Sequence, residues 1–594
     1  MPKIPFNDRP HKNEKQESID YVKSLIEQAR TDARDSDIPK LEKLIQLLNS
    51  KKYGLVWEEH AESVEDEMKT KIPVFVEDES KKINDNPNSE DFNFLLEGDD
   101  NLHSLHLLEK THLGKIDVIY IDPPYNTGNK DFKYNDDFVD SEDTFRHSKW
   151  LSFMERRLCI AKRLLGKDGL IFISIDDKEF GQLKVLMDDI FGEENFVNNI
   201  VVKMSEATGV KMTHATKRLP KLKEYILVYK NGNPKFKKLQ IPKEKWDKEY
   251  KILVEGVSFD ELSRLKEILN SDDSNEELIT EADQICKKMV FSNVSKILGN
   301  AKTTEAKDII KYENAWRILR DVATTGGAKQ NADFKRKTNF NSAFVIVTPQ
   351  KKKYLIKNGY NLKSAQPRIK LLFADEYLTT NPGDFWQDIK TTGLDNEGFV
   401  SFTNGKKPLK AIKRVIELND KLDSLVLDFF AGSGTTGQAV TELNAEDGGN
   451  RKFILATNNE NNIAEEVTYK RMKSVSTGTG NYGAHPMNLK YFKTDFVIKE
   501  EFPDVSLEYE LLKYVTPLVE LEFGIDITNP KVQIVLNEEQ LESLIDNKEL
   551  ISNSTIFMHP DVFRDDKQNQ VLQDLQIKIQ EIPNYFFGAE LWSK

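Results

Sequence analysis

The chain has 594 residues, 38% of them hydrophobic and 10% aromatic, with a formal net charge of −13. That length exceeds what a single core serves, so about two to four domains are expected, and the composition excludes a disordered chain. No apolar stretch approaches the ~18 residues of a membrane span; the two cysteines, Cys159 and Cys286, exclude a disulfide framework or a cysteine-rich zinc site; and the first residues lack the apolar core of a signal peptide, so a cytoplasmic protein is expected.

Residues 1–80 are polar and helix-prone. Apolar spacing at Ile19, Val22, Leu25 and Ile26, then Leu41, Leu44, Ile45 and Leu48, predicts a helical hairpin ending in the acidic run Glu58–Glu67. Across 81–230 strand and helix alternate. Ile116–Ile121 reads as a buried parallel strand. Trp150–Leu165 reads as an amphipathic helix with Leu151, Met154, Leu158, Ala161 and Leu165 on one face, stopped by Gly166–Gly169 before a strand at Leu170–Ile175. In 231–390 basic clusters, aromatics and a charged helical stretch (Val257–Ile310) replace that rhythm, which returns in 391–495. There the pattern predicts a helix over Pro408–Leu418, a strand over Leu425–Leu427, a helix from Thr436 and a strand over Phe453–Thr457. Residues 496–594 form a separate C-terminal segment. The alternation means a doubly wound α/β fold, a parallel sheet with helices on both faces.

Two constellations carry chemistry. At the end of the first strand stand Asp122, Pro123, Pro124 and Tyr125. Each proline fixes φ and donates no N–H, so the segment continues neither strand nor helix and forms a stiff elbow with free carbonyls. Asp122 and an elbow carbonyl are placed to take the two N–H groups of an exocyclic amine while the Tyr125 ring stacks on the base. The second constellation runs from Asp428 through Phe430, Gly432, Gly434 and Thr435. It is a strand, a glycine turn and a helix start, where backbone approaches a ligand closely. Glu460, beyond the next strand, is where a ribose diol is gripped. A P-loop is absent, and so is the third glycine of the dinucleotide pattern. An adenosine cofactor without a pyrophosphate fits better, with S-adenosylmethionine the candidate. In a doubly wound sheet the two strands can flank the switch point, bringing methyl donor and amine together.

These motifs resemble those of amino-methylating DNA methyltransferases of the permuted class, in which the catalytic elbow precedes the cofactor loop. The resemblance covers about 92–470 and implies a Rossmann-like S-adenosylmethionine-dependent sheet with a target-recognition insert. Glu97–Leu102 is similar to a family segment whose acid, here Asp99, lies at the cofactor adenine. His147–Leu151, Ile173–Asp177 and Phe191–Phe196 follow in family order. Lys223–Tyr229 resembles the segment lining the flipped base, which implies that Tyr225 faces it. Lys407 and Pro408, with Leu409, resemble the motif heading the helix beside the methionine arm. Phe429 stands where the family carries proline, and a slightly freer turn is expected. The closest resemblance is to modification (Mod) subunits of Type III restriction–modification systems. It implies methylation of adenine N6 in double-stranded DNA, a homodimer, and a separate helicase–nuclease restriction subunit. The leading aspartate of the elbow favours adenine N6 over cytosine N4.

Basic residues of the insert and its approaches (Lys211, Lys217, Arg218, Lys221, Lys237, Lys335, Arg336 and Lys337) are expected to meet DNA phosphates. No His/Cys/Asp cluster suggests a metal. Rival readings stay open: a stand-alone N6-adenine or N4-cytosine enzyme, an enzyme acting on RNA or protein, or chiefly a specificity module recruiting a nuclease–helicase.

Overall fold

The computed structural model describes residues 14–588 apart from 33, 35–36, 50–56, 88, 90, 129–130, 136, 206–218, 244, 272, 274, 300, 390–393, 403–405, 481 and 503–504. Within these the chain divides into two compact units, 1–237 with 384–594, and 238–383.

The first unit opens on helices α1 (Glu14–Thr31), α2 (Ile38–Asn49) and α3 (Ser63–Thr70). Its centre is an 11-stranded mixed sheet. Ten of the strands are β1 (Lys71–Glu77), β2 (Asn93–Gly98), β3 (Ile116–Ile121), β4 (Leu165–Ile175), β5 (Phe196–Lys203), β6 (Lys223–Lys230), β7 (Phe385–Trp386), β8 (Leu425–Asp428), β9 (Lys452–Asn458) and β10 (Asn488–Ile498). Their order is β1-β10-β2-β9-β8-β3-β4-β6-β5-β7. The run from β10 to β4 is parallel, and β6 enters antiparallel between β4 and β5.

Parallel neighbours need crossovers, and helices supply them. These are α4 (Asn101–Thr111), α5 (Arg146–Leu164), α6 (Phe180–Phe191), α7 (Leu409–Glu417), α8 (Thr435–Asp447) and α9 (Lys470–Thr477). The two-residue period of β3 sends Ile119 and Ile121 into a core with Met154, Leu158 and Leu186, and Val118 and Tyr120 into another with Ile412, Val415 and Val440. Both faces are therefore covered, the doubly wound arrangement. Truncating a central residue such as Ile119, fully buried, would cost about 2–5 kcal/mol.

Three expectations are corrected. Residues 71–77, read as part of a helical N-terminal segment, form β1 and pair antiparallel with β10. The alternation of Ile72, Val74 and their neighbours finds a sheet edge to complete. The helix does end before Gly166, at Leu164, but the next strand is not delayed to Leu170: β4 starts at Leu165 and passes through the glycines, with a register shift against β3 and Asp168 at φ +64°. Helix α5 begins four residues early, at Arg146, a difference that matters at the elbow below.

The second unit, 238–383, is built on a six-stranded antiparallel sheet in the order Val290–Asn293, Ile252–Glu255, Ile318–Ala323, Arg368–Phe373, Lys353–Lys357, Ala343–Val347. The strand at Val290–Asn293 breaks the helical stretch expected over Val257–Ile310. Near the C-terminus, Val532–Val535, Thr555–Met558 and Lys578–Glu581 form a small parallel sheet. Among the described residues no helix is long and apolar enough to cross a membrane.

Candidate active site

Strands β3 and β8 are parallel neighbours, with Val426 opposite Val118 and Leu427 opposite Ile119. Their carboxyl ends carry the elbow and the glycine turn. Some 300 residues of separation in sequence thus become adjacency at one edge.

At the elbow, the Tyr125 hydroxyl donates to Asp122 Oδ1 (2.9 Å) and to Glu224 Oε2 (3.1 Å). The Lys407 ammonium reaches the same atoms, at 3.2 Å from Asp122, 2.7 Å from Glu224 and 2.5 Å from the Tyr125 oxygen. Burial pushes the Asp122 carboxyl up, against the pull of Lys407. Glu224 feels the same burial, yet Lys407 and the Tyr125 hydroxyl outweigh it and hold this acid low. Burial alone would lower Lys407; the two carboxylates raise it. Burial and the same carboxylates keep Tyr125 a hydroxyl donor far above its ordinary range. Lys407, expected beside a cofactor arm, therefore stands at the elbow's acceptors. Glu224 has no role in the sequence reading; its only signal there is an acid at the head of the apolar run of β6. A pocket beside this cluster is lined by Tyr120, Ser174, Met204, Glu224, Tyr225 and Pro408.

Contacts from α5 and Glu179 fix the elbow from behind. Trp150 of α5 donates its indole N–H to the Pro124 carbonyl at 2.7 Å. Asn126, fully buried, sits at φ +54°, a left-handed conformation that asparagine tolerates better than most residues. Its amide donates to Glu179 Oε1 (2.6 Å) and to the Arg146 carbonyl (3.1 Å). Arg146 Nε donates to His147 Nε2 (3.3 Å), which leaves Nδ1–H of His147 to donate to the same Glu179 Oε1 at 2.6 Å. Burial pushes the Glu179 carboxyl up to about 8, while burial and Arg146 lower His147. Both shifts favour the uncharged forms. The family-like His147–Leu151 segment is thus the start of α5, and it holds the elbow through its first turns.

Asp428 caps the glycine turn, accepting the Phe430 amide (3.0 Å) and the Thr436 hydroxyl (2.6 Å). Burial lifts its carboxyl to about 7, and the charge of Asp122 adds to the shift. Gly434 lies at φ +74°, and a Cβ there would meet Thr468 at 3.1 Å, so glycine is required. Gly432 is also left-handed, at φ +47°. Arg471 ties the turn from behind, donating to Ser433 and Thr435. Phe429 does not loosen the turn: its ring is fully buried and its carbonyl takes the Asn101 amide at 2.7 Å.

Other predicted residues scatter. Asp99 is exposed just past β2, whose neighbour β9 leads to Glu460. Glu460 pairs with Lys133 at 2.6 Å. The Tyr225 ring packs on Phe180 (centroids 4.4 Å apart) and its hydroxyl donates to Asp177. Of the lysines expected to meet phosphates, Lys221 pairs with Asp176, Lys237 with Glu417 and Lys335 with Asp283. Arg336 donates to the Tyr360 carbonyl, and Lys337 is exposed. Lys211, Lys217 and Arg218 lie outside the described residues.

The family model for DNA methylase matches residues 116–276 and 258–467. A probable type III restriction-modification enzyme Mod subunit (HindVI) of Haemophilus influenzae is 32% identical over 410 residues, 65% of this chain and 51% of that protein. The type III EcoPI Mod subunit of Escherichia phage P1 is 32% identical over 416 residues, 63% of this chain and 58% of that one. The type II methyltransferase M.KpnI of Klebsiella pneumoniae is 32% identical over 421 residues, 67% of this chain and 89% of its own length. The match thus spans between half and three-fifths of the two Mod subunits.

Proposed function

This chain belongs to the DNA methylase family, and from that premise we propose that it transfers the methyl group of S-adenosylmethionine to adenine N6 in duplex DNA, as the modification and recognition subunit of a Type III restriction–modification system. The observation that carries the reading is the adjacency of the Asp122–Tyr125 elbow and the Asp428–Thr435 turn at the ends of neighbouring strands.

The residues present fit the cofactor. The left-handed glycines Gly432 and Gly434 carry no side chain between the turn and a ligand, so the backbone at the end of β8 can approach a cofactor closely. Asp99, expected at the cofactor adenine, and Glu460, expected at the ribose diol, follow the adjacent strands β2 and β9. When bound, S-adenosylmethionine supplies an electrophilic methyl on a sulfonium.

The chain's own residues prepare the amine. An adenine amine is a weak nucleophile because its lone pair is delocalised into the ring. Asp122 accepts one N–H; since Trp150 occupies the Pro124 carbonyl, the Pro123 carbonyl accepts the other. Both bonds draw the nitrogen toward tetrahedral geometry, and Asp122 stabilises the charge that develops there. As the nitrogen takes up the methyl group, Asp122 would accept the amine proton that is released. Lys407 and the Tyr125 hydroxyl both hold Oδ1 of Asp122, which leaves Oδ2 to accept the amine. The base leaves the duplex at a cost of a few kcal/mol, offset by stacking on Tyr125 worth about 1–3 kcal/mol.

Asp122→Ala is expected to abolish transfer of radiolabelled methyl to duplex DNA while duplex binding persists; substantial residual turnover would refute the assignment. Mass spectrometry of the digested product separates N6-methyladenine from N4-methylcytosine, and an RNA substrate tests the polynucleotide class. The 89% coverage of M.KpnI favours a second reading, a methyltransferase working without a restriction subunit. Co-purification with a helicase–nuclease subunit supports the Type III reading, and gel filtration tests the homodimer. A cytoplasmic location is part of the same proposal.

A further inference from the structure

Within the unit 238–383, residues 329–370 contain 11 Lys and Arg against the single acid Asp333. Several of these cations are spent internally: Lys329 pairs with Asp333, Lys335 with Asp283, Lys357 and Arg368 with Asp321. Among the described residues no carboxylate pairs with Arg336, Lys337, Lys351, Lys352 or Lys363, and all but Arg336 are exposed. In this field stand the two most exposed large apolar side chains of the unit, Phe334 (75%) and Phe340 (88%).

Phe340 is displayed, not merely loose. Phe334 lies near the end of the helix Gly326–Lys335, and the chain turns at once. The Asn358 amide donates to the carbonyls of Asn339 (3.1 Å) and Asn341 (2.9 Å), one on each side of Phe340. Asn339 Oδ1 accepts the Asn341 amide at 3.0 Å. Arg336 is fastened to the Tyr360 carbonyl at 2.6 Å and lies over that ring. A backbone fixed on both sides thus holds an aromatic ring in water, which forgoes burial and needs a counterpart.

We propose that Phe340, supported by Phe334, is an aromatic wedge that enters a base step of duplex DNA while Lys337 and its neighbouring cations hold the flanking phosphates. Apolar side chains inserted between base steps kink and unstack a duplex, and basic residues beside them position the backbone. A protein partner is the weaker match, because lysine is depleted in protein interface cores. The proposal rests on the reading of this unit as the DNA-recognition part.

The test is duplex binding by the full chain, followed by fluorescence anisotropy with a labelled duplex of mixed sequence and by emission from 2-aminopurine placed in it. Wild type that fails to bind duplex at low salt overturns the functional reading itself. Given wild-type binding, Phe334→Ala combined with Phe340→Ala is expected to weaken affinity by about tenfold and to abolish the rise in 2-aminopurine emission. Lys337→Ala should instead lower the salt slope by about one. Phe340→Leu, still apolar and bulky, should recover part of the loss. Both rings are exposed, so the variants should melt with wild type. A double variant that binds within about twofold of wild type and unstacks the probe equally overturns the wedge. So does one that binds DNA normally and elutes as a different oligomer, which would assign the rings to protein contact.

Discussion

At the scale of single residues, the elbow is governed by where protons and charges sit. Asp122 is raised by burial and restrained by Lys407. Removing that cation in Lys407→Met leaves Asp122 and Glu224 facing each other, so the acid limb of the turnover profile should move to higher pH; an unmoved limb in pH-dependent kcat/KM would contradict the electrostatic role. Glu179 gives a separate test. Its folded pKa, about 8, exceeds the ordinary 4.5. A raised carboxyl contributes stability that is fully present below the unfolded pKa and is lost as pH rises through about 8. Glu179→Gln keeps a carbonyl for Asn126 and His147 but cannot ionise. The variant should therefore gain in melting temperature relative to wild type as pH rises from 6 to about 9, and parallel melting curves across that range would count against a buried, protonated Glu179.

At the scale of elements, α5 is the organiser. Its first turns hold the elbow through Arg146, His147 and Trp150, and its middle holds the cofactor half through Arg157. That guanidinium is fully buried and donates to Glu62 (3.0 Å), to Asp100 (2.8 Å) and to Asn101 (2.7 Å). Asn101 in turn holds the Phe429 carbonyl. The coil before α3, the N-cap of α4 and the glycine turn are therefore joined through one side chain. Removing one partner of a buried pair leaves the others uncompensated, at about 3–5 kcal/mol. Arg157→Met should lower the unfolding free energy from urea titration by that margin and weaken S-adenosylmethionine in a binding titration, since Asn101 loses its anchor. A variant as stable as wild type would show that the clamp is dispensable.

At the scale of the whole molecule, charge is partitioned. The chain carries −13 overall, yet 238–383 has 26 Lys and Arg against 20 Asp and Glu. Net charge is therefore a poor guide to this protein's partner. Duplex affinity should fall steeply with salt through counterion release, while cofactor affinity, set by close contacts at the strand ends, should change little. Parallel titrations of labelled duplex and cofactor across ionic strength check this, and equal salt slopes would refute the partition.

Local pattern by itself determined the α/β rhythm, the strands at 116–121 and 425–427, and the two constellations at their ends, because apolar runs, prolines and glycines act over a few residues. It also pointed to the basic stretch at 335–337. Only the tertiary structure decided that β3 and β8 are neighbours, that Lys407 and Glu224 meet at Asp122, and that Glu179 holds Asn126. It also decided that 71–77 is a strand, since an edge strand is stabilised by the sheet it joins. Whether a lysine such as Lys335 is free or already paired with Asp283 depends on distances across the fold, which no local spacing carries. The elbow was legible because its stiffness is written in adjacent residues; what restrains it comes from residues brought together only by folding.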